Sequence, residues 1–176
     1  MIEKLETALI IVPGLEVQAF AAPLRTKHSP LASLCFPAHI TLLYPFLSPN
    51  EADQRQGEIE TILAAFSPIE VVLDHYRRFD TAWALEPRDP APIIALQRQL
   101  TQAFPSFLPY GGEYGPDLVP HLTLASFEDP SHGDQIELPP PPELRFTVDR
   151  IYLYCGPTSD NIPSIPLAIF PLKGRS

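Results

Sequence analysis

Two short stretches of the chain set a histidine and a threonine two residues apart. They are His39-Ile40-Thr41-Leu42, inside FPAHITLLYPF (36–46), and His121-Leu122-Thr123-Leu124, inside LVPHLTLASF (118–127). Both read as β-strands, whose side chains alternate between two faces. Each histidine therefore shares a face with its threonine, about 7 Å away along the strand. Ile40 and Leu42, like Leu122 and Leu124, point the other way, into a core. Imidazole titrates near neutrality, so of two rings in one site one can take a proton while the other gives one. Threonine hydroxyls can donate hydrogen bonds to the non-bridging oxygens of a phosphate, where charge gathers in the transition state. The four side chains together fit the opening of a phosphodiester: one proton leaves the attacking oxygen, another reaches the departing oxygen, and no metal is required. A single His-x-Thr on a strand is commonplace and is most simply a satisfied core or edge histidine. Two copies, 82 positions apart (39 to 121), at matching places of a repeat call for a shared role.

The elements around the motifs repeat as well. TALIIVP (7–13) returns in outline as TAWALEP (81–87), each a short apolar strand closed by proline. Each leads into a helix. The first is expected over 15–25, with Leu15, Ala19 and Ala22 facing inward. The second is expected over 92–104, opened by Asp89 and the prolines beside it, with Ile93, Leu96, Leu100 and Phe104 on one stripe. After the motif strands, IEVVLDHYRRF (69–79) and LRFTVDRIYLY (144–154) each read as one strand with an aspartate at the same offset. The joining segments differ. Asn50 is expected to cap a helix running to Phe66 that buries Ile59, Ile62, Leu63 and Phe66. The other half holds DPSHGDQIELPPPP, and four consecutive prolines exclude helix interior. A last strand spans 165–170. The fold class that follows is α+β: one domain, 1–176, built as two pseudo-symmetric lobes of approximately 1–80 and 81–176. If an approximate two-fold relates them, the two polar strand faces meet across one cleft.

Composition narrows the partners. Lys and Arg number 12 against 21 Asp and Glu, a net charge of −9, which disfavours an extended groove for duplex nucleic acid. Cys35 and Cys155 stand far apart in apolar contexts and read as small buried hydrophobes in a reducing, cytoplasmic setting. The N-terminal stretch has the pattern of neither a signal peptide nor a membrane span. No His-Glu-x-x-His, Cys-x-x-Cys, calcium loop, Gly-x-Ser-x-Gly elbow or glycine-rich Lys-Ser/Thr phosphate loop is present. His28, His75 and His132 read as loop or surface histidines, and Arg77 and Arg78 as solvated charge. YGGEYG (110–115) reads as a mobile loop that can border the cleft. Of the aromatic residues able to stack on a nucleobase (Tyr44, Phe46, Tyr110 and Tyr114), Tyr44 and Tyr114 are the substrate-binding candidates.

Paired His-x-Thr motifs in a duplicated α+β chain of this length resemble the two-histidine (2H) phosphoesterase superfamily. The branch in question is the bacterial 2′-5′ RNA ligases and RNA 2′,3′-cyclic phosphodiesterases. The resemblance covers nearly the whole chain. It implies two lobes with antiparallel sheets around a central cleft and helices outside, with His39 and His121 as catalytic residues and Thr41 and Thr123 as phosphate-binding residues. It also implies opening of a 2′,3′-cyclic phosphate to a 2′-phosphate, with 2′-5′ ligation as the reverse reaction. The expected partner is a small nucleotide with a cyclic phosphate or an RNA terminus; no cofactor, metal, duplex DNA or membrane is expected, and the protein is expected to be a monomer. The chain departs from the family at Ala125-Ser126, where RNA-ligase-type members often carry an arginine, and at the proline-rich stretch in place of the second joining helix. A reading of another class is a nucleotide-binding module that keeps the pocket without turnover.

Overall fold

The computed structural model describes residues 5–115, 118–156 and 163–174. The chain runs β1 (Glu6–Ile11), α1 (Leu15–His28), β2 (Ile40–Leu43), α2 (Pro49–Gln54), α3 (Gln56–Ala64), β3 (Ile69–Phe79) and β4 (Ala82–Pro87). It continues with α4 (Ala91–Ala103), β5 (Leu122–Ser126), a single turn α5 (Pro130–Gly133), β6 (Leu144–Val148), β7 (Arg150–Gly156) and β8 (Ile165–Pro171). Among the described residues no helix is long and apolar enough to cross a membrane.

The eight strands form one antiparallel sheet in the order β6-β3-β4-β5-β2-β1-β7-β8. Its two four-stranded halves meet at a single residue pair, Ile40↔Leu122, the equivalent residues of the two motifs. The two lobes are therefore two half-sheets hinged on that pair. From the junction outward, β2-β1-β7-β8 mirrors β5-β4-β3-β6. The lobes are therefore not the halves 1–80 and 81–176: the lobe of β5 is the continuous run β3 to β6, because β3 joins β4, and the lobe of β2 draws on both ends of the chain, because β7 joins β1. The register slips at the same point in both lobes. Leu9 pairs with Leu43 and Ile10 with Thr41, leaving Leu42 as the extra residue; Trp83 pairs with Ala125 and Ala84 with Thr123, leaving Leu124. Bulges of this kind bend a strand and re-aim its side chains. Here each lies directly after the threonine of a motif.

One face of the sheet carries the core. Ile40, Leu42, Leu85, Leu122 and Leu124 are fully buried there against α1, α3 and α4. The α4 stripe is the expected one, with Ile93, Leu96, Leu100 and Phe104 all buried. The α1 stripe is not. Leu15 is 88 % exposed, and the buried residues are Val17, Ala21 and Arg25, four apart on the face over β5. Arg25 belongs inside because its guanidinium finds backbone carbonyls there, a partner that hydrophobic spacing does not reveal.

Other corrections are local. Ser48, not Asn50, caps the first joining helix. Its hydroxyl accepts from the Glu51 amide while the Glu51 carboxylate accepts from the Ser48 amide, and Pro49 fills the first turn. That helix breaks at Arg55 into α2 and α3. The 144–154 strand divides at Asp149, because 144–148 pairs with the β3 edge and 150–156 with β1. Cys155 is buried, but Cys35 is exposed at the end of a 3₁₀ turn (Pro30–Leu34), where its backbone is left-handed.

Candidate functional site

The sheet face opposite the core carries the motif side chains. Stepping out one residue each way from Ile40↔Leu122, antiparallel pairing sets His39 beside Thr123 and Thr41 beside His121. Directly opposed residues on one face of such a pair stand about 5 Å apart at Cβ. The structure thus brings all four motif residues together at the seam between the lobes.

Both imidazoles are held in the same way. His39 Nδ1 lies 2.8 Å from the Pro37 carbonyl, and His121 Nδ1 lies 2.7 Å from the Val119 carbonyl. A carbonyl can only accept, so Nδ1 carries the proton in each ring. Neutral imidazole then has its lone pair on Nε2, and neither Nε2 has a hydrogen-bond partner among the described residues. Each ring also rests on a phenylalanine: Phe36 at 4.4 Å from His39 and Phe79 at 4.8 Å from His121. These contacts fix orientation before any ligand arrives.

Two helices brace the seam from the core side by crossing over it. Arg25 of α1, 5 % exposed, donates through Nη1 to the Thr123 carbonyl at 3.4 Å and through Nη2 to the Phe36 carbonyl at 2.5 Å. Gln97 of α4, 4 % exposed, donates to the Thr41 carbonyl at 3.1 Å. Each helix thus holds the backbone of the opposite lobe's threonine. Arg25 has no carboxylate partner among the described residues, so its positive charge stays uncompensated behind the site.

The local electrostatics follow. Burial pushes the His39 imidazole down from 6.5 to about 4; the Pro37 carbonyl pulls it up, while Arg25 and His121 push it further down. His121 is also lowered, again chiefly by burial. There the Val119 carbonyl and the Glu86 carboxylate act upward and Arg77 acts downward.

The surroundings of the two rings differ. In the lobe of β2, Tyr110 contacts Thr41, hydroxyl to hydroxyl at 3.4 Å. Its backbone amide donates to the Tyr44 carbonyl, and its ring meets Tyr44 and Tyr114 edge-on at 5.9 and 5.6 Å. The two tyrosine candidates therefore stand on either side of Tyr110, which links them to the motif. The 110–115 segment is tied to the site by these contacts. Phe46 is core, packed between Phe104 and Phe107. In the lobe of β5 the wall is charged. Glu86 bonds His75 at 3.1 Å and lies 3.5 Å from Arg77. Arg78 faces the other way and is no solvated charge: it lies over Trp83 and Phe127 and donates to the Pro130 carbonyl. His28 and His132 stand apart from the motif residues and line a cavity of about 710 Å³ between the end of α1 and α5. Sequence reasoning gives Gln97 and Glu86 no role at the site, although a glutamine inside the apolar α4 stripe is a usable signal.

Comparison with known proteins adds three findings. The model of the 2′-5′ RNA ligase superfamily matches residues 13–155. A comparison with curated protein sequences finds no match. Solved structures share the fold over almost the full length of both chains. E. coli LigT complexed with 3′-AMP is 21 % identical with a TM-score of 0.64, over 97 % of this chain and 99 % of that one. E. coli LigT complexed with NADP+ is 22 % identical with a TM-score of 0.64, over 97 % and 98 %. TT0787 of Thermus thermophilus is 20 % identical with a TM-score of 0.66, over 97 % and 100 %.

Proposed function

The chain belongs to the 2′-5′ RNA ligase superfamily, and on that premise we propose that it is a metal-independent phosphodiesterase that opens a 2′,3′-cyclic phosphate of a nucleotide or RNA end to the 2′-phosphate. The observation that carries this reading is the matched pair of imidazoles. Both are tautomerically fixed by a carbonyl two residues upstream, both present an unengaged Nε2, and each stands beside the other motif's threonine. Water attacks phosphorus as one Nε2 takes its proton. The other Nε2 delivers a proton to the 3′ oxygen as its bond to phosphorus breaks. The products are the 2′-phosphomonoester and a free 3′ hydroxyl, and the two rings end with their protons exchanged. Thr41 and Thr123 hydroxyls donate to the non-bridging oxygens, and Arg25 supplies positive potential behind them. With a 5′ hydroxyl in place of water, the same steps make a 2′-5′ linkage. Such proton transfers are worth about 10²–10⁴-fold in rate.

Phosphorus NMR on the four nucleoside 2′,3′-cyclic monophosphates and on 2′-5′-linked dinucleotides tests the reading. A 2′-phosphomonoester signal that persists in EDTA is expected. Folded protein that binds these nucleotides and leaves them intact would make it a binding module instead.

A further inference from the structure

The two motif threonines are held differently. Thr41 is 7 % exposed, and the Tyr110 hydroxyl donates to its oxygen at 3.4 Å. Thr123 is more open, and its hydroxyl has no partner among the described residues. We propose that Tyr110 is a positioning residue: by donating to the Thr41 oxygen, it turns the one hydroxyl proton of Thr41 toward a non-bridging oxygen of the bound phosphate. This role rests on the phosphodiesterase reading above and adds to it a residue outside the paired motifs.

Three observations support it. The first is the backbone of the tyrosine. Tyr110 stands at φ 50° and ψ 38°, in the left-handed region that a bulky side chain rarely adopts. Such a conformation persists only where the surroundings impose it. Here the Tyr110 amide donates to the Tyr44 carbonyl, and the Tyr110 carbonyl accepts from the Glu113 amide at 3.1 Å. Gly111, itself at φ 64°, donates to the Leu108 carbonyl at 2.9 Å. The result is a phenol set against Thr41. Second, α4 and the 3₁₀ turn beyond it (Pro109–Gly112) hold Thr41 at both main chain and side chain. Gln97 donates to its carbonyl and Tyr110 to its hydroxyl. The other lobe braces the Thr123 carbonyl through Arg25 but has no counterpart of the tyrosine. Third, the phenol is suited to donate. Burial raises it above its ordinary value; the bond to Thr41 acts downward, and Tyr114 and Tyr44 act upward. It therefore stays protonated at neutral pH. A threonine hydroxyl has one proton and two lone pairs. With one lone pair taken by Tyr110, the proton is directed away from the tyrosine and is free for the phosphate. A donor aimed in advance costs no reorganisation in the transition state.

Double-mutant cycles on the full-length protein test this. Tyr110→Phe keeps the ring, and with it the contacts to Tyr44 and Tyr114, and removes only the hydroxyl. It should lower kcat for a nucleoside 2′,3′-cyclic phosphate by about three- to tenfold, the worth of one hydrogen bond, with KM little changed. In a Thr41→Val background the same substitution should cost less than about 1.5-fold, and in a Thr123→Val background its full amount. A tyrosine that merely supports the fold would cost the same in both. Equal costs in the two backgrounds, or a Tyr110→Phe variant at the wild-type rate, would overturn the proposal. So would a loss confined to KM, which would make Tyr110 a part of the base-binding wall alone. Thr41→Ala takes the place of Thr41→Val should the latter not fold. Absence of turnover in the wild type would instead refute the phosphodiesterase reading. The cycle is then read by calorimetry in the affinity for adenosine 2′-monophosphate, where the same coupling of Tyr110 to Thr41 is expected and its absence would overturn the role.

Discussion

The lobe of β2 and the lobe of β5 present the same four-residue motif on the same bulged strand and surround it differently. In the first, His39 faces Val12, and the wall beyond Thr41 is made of Tyr44, Tyr110 and Tyr114. In the second, His121 faces Glu86, and the wall is an ionic cluster of Glu86, Arg77 and His75. On the phosphodiesterase reading proposed above, symmetry serves what a phosphodiester needs twice, a proton-transfer group and a hydroxyl donor, and asymmetry serves what it needs once, a place for the base. An apolar, aromatic wall suits a nucleobase, whose π-face stacks on rings at about 1–3 kcal/mol per base.

The largest expected effect tests the shared part. His39→Ala and His121→Ala should each lower turnover of a nucleoside 2′,3′-cyclic phosphate by at least about 10²-fold, the lower end for a positioned acid or base. Thr41→Val and Thr123→Val should cost less. Steady-state kinetics on folded variants would break the comparison if either histidine proved dispensable, since the site would then belong to one lobe.

Smaller in effect is the bracing of the seam. Arg25→Ala leaves the Phe36 and Thr123 carbonyls without their donor, and Gln97→Ala does the same to the Thr41 carbonyl. A buried polar group left unpaired costs about 1–3 kcal/mol. Arg25→Ala also removes a buried cation that has no counter-ion among the described residues, which offsets part of its loss. Urea unfolding should therefore show losses of about 2 kcal/mol for each variant, although arginine makes twice as many contacts. A loss for Arg25→Ala well above that for Gln97→Ala would mean that the buried charge is not costly, and that unrecognised groups compensate it.

The pH dependence of stability sharpens the difference between the rings. The His39 imidazole has a folded value of about 4 against 6.5, so the unfolded chain binds the proton more readily. Stability from keeping this ring neutral is present above about pH 6.5 and is lost as pH falls from there toward 4. At pH 4.5 the difference amounts to about 2–3 kcal/mol. Urea midpoints at pH 7 and 4.5 should show the wild type losing more than His39→Gln by about this amount, with a smaller difference for His121→Gln. Equal losses in wild type and His39→Gln would show that His39 is not held neutral by the fold.

These residues also mark where the sequence is legible. The motif strands are readable because their two faces have opposite chemistry: Ile40, Leu42, Leu122 and Leu124 are all fully buried. The α4 stripe is readable because it is almost wholly apolar. The α1 stripe misleads because its last buried member is Arg25, and a stripe ending in arginine scores as surface. Residues 144–154 read as one strand because their offset from 69–79 is regular, yet 144–148 pairs with 69–73 itself. Long-range pairing of that kind leaves no local trace. The contrast between Val12 and Glu86 is visible in TALIIVP against TAWALEP, but it acquires meaning only once the register sets each beside a histidine.

The smallest expected effect separates the two walls by how they would hold a substrate. A nucleotide gripped by lobe-two cations would lose affinity with salt; one stacked on the lobe-one tyrosines would not. Each phosphate neutralised by Lys or Arg contributes a slope of about −0.7 in log affinity against log salt for single strands. From 50 to 300 mM NaCl, one such contact predicts a fall of about fourfold and four contacts a fall of more than about a hundredfold. Arg77 is already paired with Glu86, Arg78 is packed against Trp83 and Phe127, and Arg25 is buried on backbone carbonyls. The phosphate donors that remain at the seam are hydroxyls and imidazoles, in a chain of net charge −9. kcat/KM for a nucleoside 2′,3′-cyclic phosphate should therefore change by less than about twofold over that salt range. A ten-nucleotide RNA with the same end should gain less than about tenfold over the mononucleotide at either salt. Direct competition between the two substrates at both salt concentrations measures this. A large preference for the oligonucleotide that collapses in 300 mM NaCl would mean that a basic track outside the motif face holds the RNA, and the aromatic wall of the first lobe would lose its assigned role.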